Sequence, residues 1–286
     1  MSQINKEYKI LALDLDGTML NNGVLSPVVE ETLAKIVAGG TEVAIATGRS
    51  LPTVPACVRS LPFIRYAILS NGARVYDYKE KKTISEHPID MQLALDILDA
   101  VKSSTPVAAL YLDIVMLPIR TYIRYLRSWE FWKRLYSRNT SRKIVKEAMK
   151  STKLVFSLKN AIKRKGEPVE GLKMRFLYLR KWKKAEKILS EFPIEAVTTM
   201  GYDLEISAKG VTKATGIKDL CEHLSISSEQ VMAAGDSNND LEMLKHAGFA
   251  IVMDNADDEI KEFADKVAPD VKEDGLATAL IELFGL

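Results

Sequence analysis

The chain has 286 residues, of which 47% are hydrophobic and 27% charged, with a formal net charge of +2; that length exceeds one ordinary core and suggests two domains or a large insertion. Its richest apolar stretch, Val107 to Ile119, is interrupted by Asp113 and Pro118, which falls short of the roughly 20 residues of a membrane span, so no such span is expected. Cys57 and Cys221 are too few for a disulfide framework, His87, His223 and His246 are too scattered for a histidine metal site, and the opening MSQINKEYKI lacks the layout of an export signal, so the expected location is cytoplasmic.

The small net charge hides a division. From Ile84 to Ser190 basic residues exceed acidic ones to give +13, while the remainder carries −11. Two differently built parts are therefore expected in one chain.

The apolar run Ile10 to Leu13 leads directly into Asp14-Leu15-Asp16-Gly17-Thr18, so two carboxylates leave the end of a predicted buried strand on the same side. Like charges so placed raise each other's energy unless a cation or a proton intervenes, and hard carboxylate oxygens favour Mg²⁺ over zinc. A solvated acidic turn is the plainer reading of this stretch taken alone. Ser26-Pro27 reads as a cap and first helical residue, opening a helix that Gly39-Gly40 closes. Glu42 to Ala46 is a predicted strand ending in Thr47-Gly48-Arg49, where the Thr47 hydroxyl and neighbouring amides could serve either an anion or an ordinary helix cap. A helix is expected near Leu51 to Ser60. The next strand, Tyr66 to Leu69, ends in Ser70-Asn71-Gly72, and the alternation of strand and helix predicts a parallel sheet with its strand ends along one edge.

After Ala73 the pattern changes. Arg74 to Tyr78 and Thr83 to Glu86 read as a hairpin, followed by a helix carrying Ile89, Leu93, Ile97 and Val101 and a strand from Val107 to Leu112. Tyr122, Tyr125, Trp129, Trp132 and Tyr136 form one helical stripe, with Arg120, Arg124, Arg127, Arg134 and Arg138 alongside it. The plain expectation is rings laid on a sheet with arginines on the flank, and a surface for an anionic substrate or polyanion is the alternative. Lys153 to Leu158 and Leu172 to Leu179 are predicted strands, Lys163 to Gly166 a basic loop, and Lys181 to Ser190 a helix. The acidic part resumes near Phe192. Asp203 to Ser207 alternates as a strand, and Thr212 to Leu224 reads as a helix that places Lys213 in its first turn, against the helix dipole, where an anionic partner is plausible. Gln230 to Ala234 is a further strand ending in Gly-Asp-Ser-Asn-Asn-Asp, residues 235–240, before a helix over Leu241 to His246.

DLDGT at 14–18, TGR at 47–49, SNGA at 70–73, Lys213 and GDSNND at 235–240 together resemble the haloacid dehalogenase superfamily, most closely its Cof-type phosphatase branch. The resemblance implies a Rossmann-like, doubly wound parallel-sheet α/β core over 1–83 and 191–286, with an inserted basic α/β cap at 84–190 that sets substrate specificity. It also implies roles. Asp14 would be the nucleophile forming an aspartyl-phosphate and Asp16 the general acid and base. Thr47, Gly48 and Lys213 would hold the phosphoryl group. Mg²⁺ would be bound by the Asp14 carboxylate, the Asp16 carbonyl and Asp236, with Asn71, Asn239 and Asp240 in support. Ala214 stands where this branch commonly has glycine after the lysine, and the 120–138 stretch matches no family motif. The expected activity is Mg²⁺-dependent hydrolysis of small phosphorylated metabolites, sugar phosphates first, by a monomer or homodimer with neither membrane nor nucleic acid as partner. Phosphotransfer or mutase chemistry on the same scaffold is the second reading. A polyanion-binding protein that uses the basic cap is the third.

Overall fold

The computed structural model describes residues 8–101, 107–127, 129, 150–176, 179–199 and 203–286. The chain forms two compact units, one of residues 1–47, 55–86 and 212–286 and the other of 48–54 and 87–211.

In the first unit, β1 (Ile10–Leu13) is buried along its whole length, as a strand covered on both faces must be. A short hairpin follows, β2 (Leu20–Asn21) and β3 (Val24–Leu25). Its turn uses Asn22 and Gly23, both at positive φ, an Asn-Gly signal the sequence reading passed over. Helix α1 (Pro27–Ala38) starts where predicted, with Ser26 Oγ accepting from Val28 N, a cap worth about 1 kcal/mol. Strand β4 (Glu42–Ala46) matches its expected bounds. The single helix expected over 51–60 is instead a 3₁₀ turn at Leu51–Thr53 and a short α2 (Ala56–Arg59), because Pro55 disfavours helical backbone at Val54. Then β5 (Ile64–Leu69) is followed by the hairpin β6 (Arg74–Asp77) and β7 (Lys82–Glu86).

The second unit holds α3 (Met91–Val101), β8 (Val107–Leu110), β9 (Val115–Pro118), α4 (Ile119–Leu126), β10 (Thr152–Val155), α5 (Leu158–Lys165), β11 (Gly171–Arg175), α6 (Leu179–Leu189), β12 (Ile194–Thr199) and β13 (Asp203–Ala208). Its sheet runs β10-β9-β8-β11-β13-β12. Ile97, Ile162 and Leu189 from three helices join Leu172, Met174, Leu204 and Ile206 from the sheet in one core. Two expectations change here. Residues 191–211 do not return to the first unit at 191: β12 and β13 pair with each other and, through β11, complete the six-stranded sheet. The basic loop expected at 163–166 is the last turn of α5, closed by Gly166 at φ 70. Arg120 and Arg124 on α4 are exposed. Trp129 is 78% exposed, so its ring does not lie on the sheet, and Trp132, Arg134, Tyr136 and Arg138 lie outside the described residues.

The chain then closes the first unit with α7 (Lys213–Leu224), β14 (Val231–Gly235), α8 (Leu241–His246), β15 (Phe249–Met253), α9 (Asp258–Lys261), β16 (Lys266–Ala268) and α10 (Gly275–Phe284). The sheet order is β16-β15-β14-β1-β4-β5-β6-β7, parallel from β16 through β5. The chain first builds outward from β1 through β4 and β5 and later returns to β14 on the other side of β1. The switch point therefore lies between β1 and β14, and a doubly wound sheet opens its ligand crevice at the carboxyl ends of those two strands. Among the described residues, no helix is long and apolar enough to cross a membrane.

Candidate active site

The carboxyl ends of β1 and β14 bring together residues more than two hundred positions apart. Asp14 N donates to Ala234 O at 2.9 Å, locking the two strand ends in register. One ligand atom from each of Asp14, Asp236 and Asp240 falls within 4.8 Å of the others. Gly17 turns the chain at φ 105, and a Cβ there would collide with the Asp236 carboxylate, so this turn suits glycine on both counts.

Lys213 enters from α7. It is fully buried at the first position of a helix, where the dipole disfavours a cation, so the fold must compensate it elsewhere. It does so with two carboxylates. Nζ donates to Asp14 Oδ1 at 2.5 Å and to Asp240 Oδ1 at 2.7 Å. An ammonium has three donors; among the described residues only these two are used, leaving one N–H open to a further oxygen. The close approach of Gly72, whose Cβ would strike the Thr212 carbonyl, sets the start of α7 against the turn after β5.

Asp240 is held from its other side. Its Oδ2 accepts from Asp236 N and Ser237 N, both at 3.0 Å. Asp240 thus ties the loop after β14 to Lys213. Asp236 Oδ1 accepts from Thr18 Oγ1 at 3.1 Å and its Oδ2 from Asn255 Nδ2 at 3.1 Å. Asn239 Nδ2 donates to Asn71 Oδ1 at 3.3 Å, and Asn71 N donates to Thr47 O at 3.0 Å, which links the ends of β14, β5 and β4.

If all were ionised, three carboxylates would share one ammonium. Burial pushes the Asp14 carboxyl well above its usual range; Lys213 opposes that rise, while Asp240 and Asp236 add to it. Asp236 is raised to about 7, first by burial and then by Asp240, with Asp16 a smaller contributor. Burial alone would lower Lys213, yet Asp14 and Asp240 outweigh it and hold the ammonium above its ordinary value. The Lys213 charge is secure, and the three acids, once ionised, would carry a surplus of negative charge over it. An all-oxygen donor set with that surplus fits a hard divalent cation.

The sequence-derived residues divide as follows. Asp14, Lys213, Asp236 and Asp240 converge. Asp16 is half-buried, forms a β-bridge to Leu20 and is not one of the three clustered acids. Thr47 is buried at the end of β4, where its N–H donates to Ile68 O at 2.8 Å. Gly48 belongs to the second unit, where a Cβ on it would collide with the Glu205 carboxylate. Two contributors were not foreseen: Thr18 as a donor to Asp236, and Asn255. The available signal for Asn255 was its place two residues past an apolar strand, as with the other strand-end polar residues.

Residues 11–280 match the family model described as haloacid dehalogenase-like hydrolase. The chain is 26% identical over 279 residues to a 5-amino-6-(5-phospho-D-ribitylamino)uracil phosphatase of Bacillus subtilis, covering 96% of this chain and 95% of that one. It is 27% identical over 273 residues to a pyridoxal phosphate phosphatase of Escherichia coli, covering 94% and 96%. A solved haloacid dehalogenase-like hydrolase from B. subtilis superimposes with a TM-score of 0.81 at 26% identity, over 96% of this chain and 99% of that one.

Proposed function

The chain belongs to the haloacid dehalogenase-like hydrolases and is a phosphatase of small phosphorylated molecules, and from that premise we propose Mg²⁺-dependent hydrolysis through a phosphorylated Asp14, with sugar and sugar-alcohol phosphates as the first substrate class. The observation that carries this reading is the Lys213 ammonium bound at once to Asp14 and Asp240, beside Asp236. The phosphoribityl group in the name of the B. subtilis relative supports the substrate class.

Asp14 attacks phosphorus with a carboxylate oxygen; the new O–P bond forms as the ester P–O bond breaks in line. Its Oδ1 is held by Lys213, and among the described residues Oδ2 accepts no hydrogen bond, which leaves that oxygen ready for bond formation. Asp16 gives its proton to the departing alkoxide oxygen. It then takes a proton from the water that releases phosphate, so Asp14 is regenerated and the proton count closes. The open Lys213 N–H and the Thr47 hydroxyl hold the non-bridging oxygens. Asp14, Asp236 and the Asp16 carbonyl would hold Mg²⁺, which would offset the charge that gathers on those oxygens. Asp240 fixes Lys213, and Asn71 and Asn239 brace the loops that carry the ligands.

A panel of phosphorylated metabolites assayed with Mg²⁺ tests the proposal: sugar phosphates should release phosphate fastest, and chelation should abolish release. Turnover indifferent to chelator would refute the metal requirement. Cation binding must displace a proton from Asp236, raised to about 7. Mg²⁺ affinity should therefore fall at least about tenfold on going from about pH 8 to about pH 6, with proton release visible as buffer-dependent heat in calorimetry. An affinity that is flat over that window would contradict the assignment of Asp236.

A further inference from the structure

At the ends of four neighbouring strands, β16, β15, β14 and β1, one side chain outside the reacting set gathers the loops. Asn255 lies two residues beyond β15. Its Nδ2 donates to the Gly17 carbonyl at 3.0 Å, in the turn after β1, and to Asp236 Oδ2 at 3.1 Å, in the loop after β14. Its Oδ1 accepts from Val271 N at 3.0 Å, in the segment after β16. Both donors and the acceptor of one amide are thereby spent on three separate loops.

The consequence falls on Asp236. The terminal torsion of an Asp side chain is broad and soft, so an unrestrained carboxylate must be ordered each time it binds a cation. Here Thr18 Oγ1 donates to Oδ1 and Asn255 Nδ2 to Oδ2. With a donor on each oxygen the carboxylate plane is set, and each oxygen keeps a lone pair for a cation. The same amide holds the Gly17 carbonyl, whose turn leaves no room for a Cβ beside that carboxylate.

From these contacts we propose that Asn255 is a positioning residue that presets Asp236, and the Gly17 turn packed against it, for a divalent cation. The inference rests on the Mg²⁺ reading above. Asn255 is itself exposed and, among the described residues, its side chain bonds only to segments outside the strands and α-helices, so its contribution falls on ligand geometry more than on the core.

The test is calorimetric titration of Mg²⁺ into phosphate-free full-length protein, wild type against Asn255→Ala, with thermal unfolding in chelator as the measure of fold. The expected result is an Mg²⁺ affinity lower by about ten- to a hundredfold with little change in the unfolding midpoint in chelator. A merely structural role predicts the reverse, a lower midpoint with unchanged affinity, and that result overturns the proposal. Should the alanine variant fail to fold, Asn255→Gln keeps the amide but displaces it by one methylene. Weakened Mg²⁺ binding by that variant supports the proposal, and wild-type affinity overturns it. A wild type that takes up no Mg²⁺ refutes the metal reading and this inference with it, whereas equal binding by wild type and variant removes only the role of Asn255.

Discussion

Asp14→Asn is expected to lower phosphatase turnover by on the order of 10⁴-fold or more while leaving the protein folded. The amide is no nucleophile toward phosphorus, yet its oxygen still accepts from the Lys213 ammonium, whose contact at 2.5 Å becomes a charge-assisted hydrogen bond instead of an ion pair. The stability effect has the opposite sign to the usual loss of an ion pair. Burial first, and then Asp240 and Asp236, hold the Asp14 carboxyl above its ordinary range against the pull of Lys213. Its ionised form is thus disfavoured in the metal-free fold. A carboxyl raised in this way binds its proton more tightly folded than unfolded, so it stabilises at low pH, and that contribution is lost as pH rises through the folded value. In chelator at about pH 8 the variant should melt no lower than wild type, and any advantage should vanish on acidification. Steady-state assays with the best substrate of the panel and paired melts decide both parts. Turnover within tenfold of wild type would remove Asp14 as the nucleophile, and a lower midpoint in chelator would contradict the repulsion among the three acids.

The core and the polar residues that converge at its strand ends were legible because they sit where sequence is most informative. Each of β1, β4, β5 and β14 is a short apolar run that stops abruptly at small or acidic residues, and a parallel sheet leaves such ends along one edge. Lys213 could be singled out because a lysine in a helix's first turn is electrostatically misplaced. The boundary near 191 failed for a different reason. Asp203 and Glu205 alternate with apolar residues in β13 as in an ordinary strand, but both are buried, paired to Arg175 and Lys173 across β11. Alternation tells which residues share a face and does not tell which sheet the strand joins. The long helix expected at 51–60 broke at Pro55, whose effect on the preceding residue outweighed the apolar spacing. Asn255 had only its place just past an apolar strand to mark it: its three partners come from positions 17, 236 and 271, and only the fold brings them to it.

The larger stability effect belongs to Lys213→Met. Methionine fills much of the lysine's volume, so the change removes charge more than packing. Asp14 and Asp240 lose their common donor, and Asp240 Oδ1 is left buried and without one. Breaking a buried pair from one side costs about 3–5 kcal/mol, here at a site with two acids on the same cation. The pH dependence follows from the carboxylates. Lys213 itself is held above its ordinary value, so the wild-type ammonium stays charged throughout any practical range and contributes no slope there. In the variant, Asp14 loses a contact that opposed its rise, so its carboxyl goes higher still, and protonation relieves the strain as pH falls. The deficit relative to wild type should be greatest at about pH 8 in chelator and should shrink toward about pH 5. Mg²⁺ should recover part of it, because a cation shared by Asp14 and Asp236 offsets some of the same charge. Turnover should not recover with Mg²⁺, since the ammonium proposed to hold the phosphoryl oxygen is gone, nor should Lys213→Arg restore it, because a planar guanidinium does not fit a slot shaped around a fully buried ammonium. Denaturant titrations at several pH values, with and without Mg²⁺, measure the deficit directly. A Lys213→Met protein as stable as wild type in chelator at the alkaline end would show that Asp14 and Asp240 do not need this cation, and the charge balance proposed for the site would fall with it.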